Sequence, residues 1–180
     1  MSAAFKEWAV VCEALGCGRQ SVIVRKGGIA EGRDGFRFRE KEFLLFPTWF
    51  HEQLAKTRLP GDTEIPPEPS DELEIRYAAS VEWAGLVSDM ECLRQLESLH
   101  VLAEQVVRER FSYDSPEGVH IAFVRIFRLD PPRRLKMEKR YGGCRSWVEV
   151  PDHHDSAWVS VISDEEHNRR RELLRRVLGL

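Results

Sequence analysis

The chain has 180 residues, 42% hydrophobic and 32% charged, with a formal net charge of -3. A chain of this length buries on the order of 70% of the surface its unfolded form exposes, so a core is expected without disulfides or metal. The composition excludes a disordered or coiled-coil protein, and the charge removes the simplest argument for nucleic-acid binding, an overall basic character.

No stretch near the start is long or apolar enough for a signal peptide or a membrane span, which predicts a soluble, cytoplasmic protein. The four cysteines, Cys12, Cys17, Cys92 and Cys144, have no Cys-x-x-Cys spacing. Reduced thiols are expected, with no zinc or other metal and no cofactor.

In chain order, Phe5, Trp8, Ala9, Cys12 and Leu15 recur at helical spacing and predict an amphipathic helix that Gly16 and Gly18 end. Glu13 lies at the edge of its apolar stripe. Ser21 to Val24 is rich in β-branched residues and reads as a strand running into Arg25-Lys26-Gly27-Gly28. Phe36 and Phe38 alternate with Arg37 and Arg39 ahead of the apolar run Phe43 to Phe46, which predicts a hairpin ending in a buried strand that Pro47 stops. Thr48 is placed to cap a helix to about Thr57, with His51 in its first turn. Pro60, Pro66, Pro67 and Pro69 make residues 59–71 an irregular linker between two subregions of a single domain spanning 1–180.

Leu73, Ile75, Tyr77, Ala79, Val81 and Trp83 then alternate with mostly polar residues, the pattern of a half-buried strand. Ser88 and Glu91 form a capping-box pair ahead of a helix with Leu93 and Leu96, and a second helix carries Val106 and Val107. Val119 to Leu129 is apolar on both faces and predicts a central strand that Pro131 and Pro132 end. Trp147–Val150 and Ala157–Ile162 read as strands, and Ser163 with Glu166 caps a last helix with Arg169, Arg170, Arg171, Arg175 and Arg176 opposite its leucines. The order predicts an α+β fold, a mixed or antiparallel sheet with flanking helices.

Charge is unevenly placed. Residues 62–91 hold nine acids against one base, a local sum of -8, whereas residues 125–145 hold eight bases against two acids, a sum of +6. Either a local field for phosphate or mutual neutralisation across an internal contact fits this pattern. Arg25-Lys26-Gly27-Gly28 can set two cations beside accessible amides, or be a strand end turning through glycine. Arg125 shares a strand face with Ile121, Phe123, Phe127 and Leu129 and needs a ligand, carbonyls or a carboxylate such as Glu13 or Glu82. Tyr141 and Trp147 lie within or beside the basic segment that ends at Arg145, and cations interleaved with aromatics suit single strands.

Three groups offer catalytic readings. Cys144, between two glycines and Arg145, is a candidate nucleophile if His51 or His120 serves as base, although a buried structural thiol is the default. Glu7, Glu13, Glu40 and Glu42 with Lys26 or Lys41 suggest a metal-dependent phosphodiesterase, but in no convincing frame. His153-His154-Asp155 lacks a third ligand at diagnostic spacing and reads as a polar loop.

The strings Lys6-Glu7-Trp8-Ala9-Val10, Glu13-Ala14-Leu15, Arg25-Lys26-Gly27-Gly28-Ile29, Phe43-Leu44-Leu45-Phe46-Pro47-Thr48 with His51, and Tyr141-Gly142-Gly143-Cys144-Arg145-Ser146-Trp147-Val148 together resemble the DUF1802 family of bacterial proteins. The resemblance spans nearly the whole chain and implies a bacterial cytoplasmic protein, without an activity. Where that family reads His-Gln after its Phe-Pro-Thr segment, His51 here is followed by Glu52 and then Gln53. A fainter similarity, to the ASCH group of PUA-like barrels that bind RNA or modified bases, rests on Gly18 and Arg25 in a Gly-x-Lys-x-x-Glu-x-Arg frame. Gln20 and Ile23 stand at its lysine and acid positions. The leading expectation is therefore a module binding RNA or single-stranded nucleic acid through Arg25, Lys26, Gly27, Gly28, Arg125, Tyr141, Arg145 and Trp147. The alternatives are a metal-dependent phosphodiesterase or nuclease, a Cys-dependent transferase, and a protein-interaction subunit of a larger bacterial system, with Cys144, His51 and Glu13 as the candidate catalytic groups of the enzyme readings.

Overall fold

In the computed structural model, which describes residues 1–26, 37–152 and 156–180, the chain opens with strand β1 (Ser2–Trp8) and turns directly into helix α1 (Ala9–Gly16). The helical spacing of Phe5 and Trp8 is thus a coincidence of composition. Strands β2 (Val22–Arg25) and β3 (Glu42–Thr48) follow, and β1 pairs in parallel with β3 from Ala4 opposite Leu44 to Trp8 opposite Thr48. Those ladder bonds, with burial of Ala4 through Glu7, outweigh a weak helical preference over the same residues. Strand β3 runs one residue past Pro47, a proline position tolerated near a strand end. Residues 37–40 form no strand, and the Phe36 half of the expected hairpin lies outside the described residues.

Helix α1 receives no cap from its own N-cap residue, Trp8. Gln53 supplies one from a distant turn, its Oε1 accepting from the Val10 N–H at 3.0 Å. The Thr48 hydroxyl donates to the Glu7 carbonyl at 3.1 Å rather than capping a helix, and residues 51–56 form successive turns. Residues 59–71 hold neither helix nor strand, and the Trp49 indole N–H anchors them by donating to the Pro66 carbonyl at 2.7 Å.

Strand β4 (Glu72–Val87) pairs with β3, so the chain on both sides of that irregular stretch shares one sheet. Helix α2 (Met90–Gln95) is capped by Asp89, whose carboxylate accepts from the Glu91 N–H, and not by Ser88. Helix α3 (Glu104–Ser112) leads to β5 (Val119–Lys136), which continues past Pro131 and Pro132. The β4–β5 register steps from Tyr77 opposite Arg128 to Ile75 opposite Arg133, so the prolines occupy a bulge where no ladder N–H is required. Strands β6 (Trp147–Val150) and β7 (Ala157–Ser160) precede α4 (Asp164–Leu178), where Ser163 accepts from the Glu166 N–H at 3.2 Å as its spacing predicted.

The fold is α+β, with flanking helices and, among the described residues, a mixed seven-stranded sheet in the order β2-β5-β4-β3-β1-β6, β7 also pairing with β5. One edge of β5 is taken by β4. The other is shared by β2, along Val22–Arg25, and by β7, along Phe127–Asp130. Alternation sends Phe43 and Leu45 into a core cluster with Phe5, Leu15 and Phe123, and Leu44 and Phe46 into a second with Leu73, Ile75 and Leu129. No helix among the described residues is long and apolar enough to cross a membrane.

Candidate functional site

The period of two along β1 puts Lys6 and Trp8 on one face, and β2 delivers Arg25 near them. With α3, the turn after β3 and residues 143–146, they surround an open cleft of about 690 Å³. Among the described residues six cations line it, Lys6, Arg25, Lys26, Lys56, Arg110 and Arg145, against a single acid, Glu109. Trp8, Phe50 and Tyr113 supply aromatic surface, Phe50 being 39% and Tyr113 66% exposed.

The cations divide into held and free. Arg25 donates to the Ser146 hydroxyl at 3.2 Å, lies 4.0 Å from the buried Glu7 carboxylate and sits over the Phe5 ring. Glu7 in turn accepts from the Trp8 N–H at 2.8 Å. Arg110 donates to the Val24 carbonyl at 2.6 Å and stacks 4.6 Å over the Trp8 ring; burial lowers its pKa, Glu7 opposes that and Arg25 adds to it. Lys6 donates to the Gly143 carbonyl at 3.1 Å, and burial, then Arg145, pull its pKa down while Cys144 pulls it up. Lys26 is held by backbone carbonyls. Arg145 and Lys56 make no side-chain hydrogen bond or ion pair among the described residues.

Of the residues expected at a site, Arg25, Lys26, Cys144 and Arg145 come together in this cleft. Gly27 and Gly28 lie outside the described residues, as do His153, His154 and Asp155. Arg125 is elsewhere, ion-paired with Asp164 and donating to the Ser160 hydroxyl at 3.1 Å. Its expected partners are otherwise engaged: Glu82 meets His167 at 2.7 Å and Arg171 at 3.4 Å, and Glu13 binds Arg76 and accepts from the Tyr77 hydroxyl at 3.2 Å. Tyr141 is buried against Phe46, and Trp147 meets Phe43 and Phe5 edge-on at 5.1 and 5.0 Å, so both rings belong to packing rather than to the cleft.

Glu13 lines a separate pocket of about 240 Å³ with Trp49, Pro66 and Pro67. Burial pushes its carboxyl up against the pull of Arg76, and burial with Glu13 pushes Tyr77 up to about 12. His51 is exposed and lines a shallow pocket with Leu59 and Ile65, so it does not border Cys144 in the cleft. Among the described residues no group of three His, Cys, Asp or Glu side chains is placed to hold a metal ion.

Sequence reasoning missed Lys6, Lys56, Arg110, Phe50 and Tyr113. Arg110 did leave a signal. It follows Val106 and Val107 by four and three residues, so a cation shares the stripe that buries α3. In the basic run 125–145, by contrast, three of the eight cations, Arg125, Arg134 and Arg140, are ion-paired with carboxylates. Arg134 faces Glu74 across the β4–β5 ladder, 3.7 Å from it and 3.9 Å from Glu72, and Arg140 pairs with Glu138 at 3.0 Å. On α4, Arg169 and Arg170 pair with Glu166, and Arg171 with Glu82. Of the ASCH-like frame positions, Gln20 is buried and bonded to the Val22 and Val101 backbone, and Ile23 lies in the core.

No curated protein matches the chain. Among solved structures, it is similar to the crystal structure of ASCH from Zymomonas mobilis, at 13% identity over 96% of this chain and 94% of that one, with a TM-score of 0.45. A tyrosine-to-phenylalanine mutant of the Zymomonas mobilis protein is similar at 15% identity over 95% of this chain and 96% of that one, again with a TM-score of 0.45. The model of the family described as Domain of unknown function (DUF1802) matches residues 4–173, and the chain belongs to that family.

Proposed function

We propose that residues 1–180 act as one module that binds single-stranded nucleic acid, RNA or DNA, in the cleft between β1, β2, α3 and residues 143–146, in the bacterial cytoplasm. The observation that carries this reading is the lining, among the described residues, of six cations against one acid beside exposed Phe50 and Tyr113. Cations that track the backbone together with rings that stack bases are the common recipe for holding a single strand, because every base has a π-face. Arg145 and Lys56, whose side chains have no hydrogen-bond or ion-pair partner among the described residues, meet phosphates. Arg25 and Arg110, held beneath, add to the field without leaving their places. A duplex hides its base faces and leaves Phe50 and Tyr113 without a role. The four free thiols, Cys12, Cys17, Cys92 and Cys144, support a reducing compartment.

The test is fluorescence anisotropy of labelled 12-mers of oligo(U) and oligo(dT), with a duplex control, across a salt series. Two to four neutralised phosphates give a slope of log K against log salt of roughly -1.4 to -2.8, at about -0.7 per phosphate. Affinity that is absent at low salt, or indifferent to salt, overturns the reading.

A further inference from the structure

Lys26 lines the cleft, yet its ammonium is turned to the chain that joins α3 to β5. Nζ lies 3.3 Å from the Phe111 carbonyl oxygen, 3.0 Å from that of Asp114, 2.9 Å from that of Pro116 and 3.0 Å from that of Gly118. An ammonium has three N–H donors, so four acceptors at nearly one distance use all of them and leave none for a phosphate. The Phe111 carbonyl belongs to the last turn of α3, where the dipole favours a cation, and it also accepts from the Gly118 N–H at 3.0 Å. The neighbouring carboxylates do not contribute: Asp114 accepts from the Ser115 N–H at 2.8 Å and Glu117 from the Ser112 hydroxyl at 3.1 Å. Without Lys26, four carbonyl dipoles converge on a point with no positive charge between them.

We propose that Lys26 is a positioning residue, an internal cation that closes the 111–118 turn so that Arg110 and Tyr113 stand on the cleft wall, and that this turn is a carbonyl cradle selective for a primary ammonium. The distances are too long for calcium, at about 2.3–2.6 Å, or magnesium, at about 2.0–2.1 Å, and neither is favoured without carboxylates. A guanidinium is a planar fork and does not replace a compact ammonium there. Only the consequence for binding rests on the nucleic-acid reading; the cradle stands on its own geometry.

The experiment is hydrogen exchange of the 111–118 segment in the Lys26→Ala protein, with and without n-propylammonium, the fragment that substitution deletes. Tetramethylammonium, which has no N–H, controls for ionic strength. Exchange is expected to accelerate about tenfold or more and to return toward the wild-type rate with n-propylammonium alone, the oligonucleotide affinity following the same pattern. Unchanged exchange, or equal rescue by tetramethylammonium, overturns the proposal. So does an affinity loss without faster exchange and with a salt slope shallower by about 0.7, which marks Lys26 as a direct phosphate contact.

If Lys26→Ala does not fold, the wild-type protein decides. A lysine ζ-ammonium ¹⁵N resonance protected from solvent exchange, and lost in Lys26→Arg, supports the cradle, and its absence sinks it. If no oligonucleotide binds the wild-type protein, the function falls while the exchange result still decides the role of Lys26.

Discussion

The β4–β5 ladder and the cleft are both rich in arginine and lysine, and they treat charge in opposite ways. In the ladder, a segment with a local sum of +6 lies partly against one of -8, and antiparallel register sets Glu74 opposite Arg134 and Glu72 opposite Lys136. Cross-strand pairs of opposite sign stabilise the sheet a little and cancel the field. The cleft gathers its cations from residues between Lys6 and Arg145, no two of its arginines adjacent in sequence, and among them only Arg25 lies within ion-pair distance of a carboxylate of the described residues, 4.0 Å from the buried Glu7. A density of charge along a sequence therefore says little about a field. What decides is which residue the fold places opposite each cation.

Substitutions can break this contrast. The largest effect is expected from Lys56→Glu combined with Arg145→Glu, which removes the two lining cations that have no side-chain partner among the described residues and inserts repulsion. Single-strand affinity should fall on the order of 100-fold or more in anisotropy titrations at low salt, with the circular dichroism unchanged.

Next comes a group kept from charging at all. Burial, then Arg58 and Arg110, push His100 down from 6.5 to about 4. Because its folded pKa lies below its unfolded one, the stability it permits is complete above about pH 6.5 and is lost as pH falls toward 4, by about 3 kcal/mol. Urea melts at a series of pH values check this, and His100→Gln should flatten that part of the profile. Smaller again are Phe50→Ala and Tyr113→Ala, each expected to cost about tenfold in affinity while leaving the salt slope unchanged, which separates stacking from charge. Smallest are Arg134→Ala and Arg125→Ala, whose partners are internal; either should change affinity by less than about twofold.

Much of the sheet was legible because its signals are local. The alternation from Leu73 to Trp83 and the two-sided apolar run from Val119 are seen in the structure as β4 and β5, and the Ser163 cap opens α4. The first strand was not legible. Phe5 and Trp8 fit a helical period, and pairing with β3, some forty residues away, and with β6, farther still, decides for β1. The same limit applied to caps, since the acceptor over the start of α1 is Gln53, beyond any local motif.

Within the cleft, Arg25 and Arg145 stood out as cations beside glycines. Lys56 and Lys6 carried no such mark, because long-range pairing alone brings their segments together. Arg125, read from its strand face as needing a partner, found one in Asp164, three residues before His167 on a helix that packs against β5.

Strand β2 pairs with β5 and with no other strand among the described residues, and that partner lies about a hundred residues later. On a ribosome adding roughly 5–20 residues per second, Val22, Ile23 and Val24 wait on the order of 5–20 s for it. Until then Arg25 has no seat. A nascent polypeptide thus carries Arg25 without the strand that seats it, and the cleft has all of its described lining only when translation has passed Ser146.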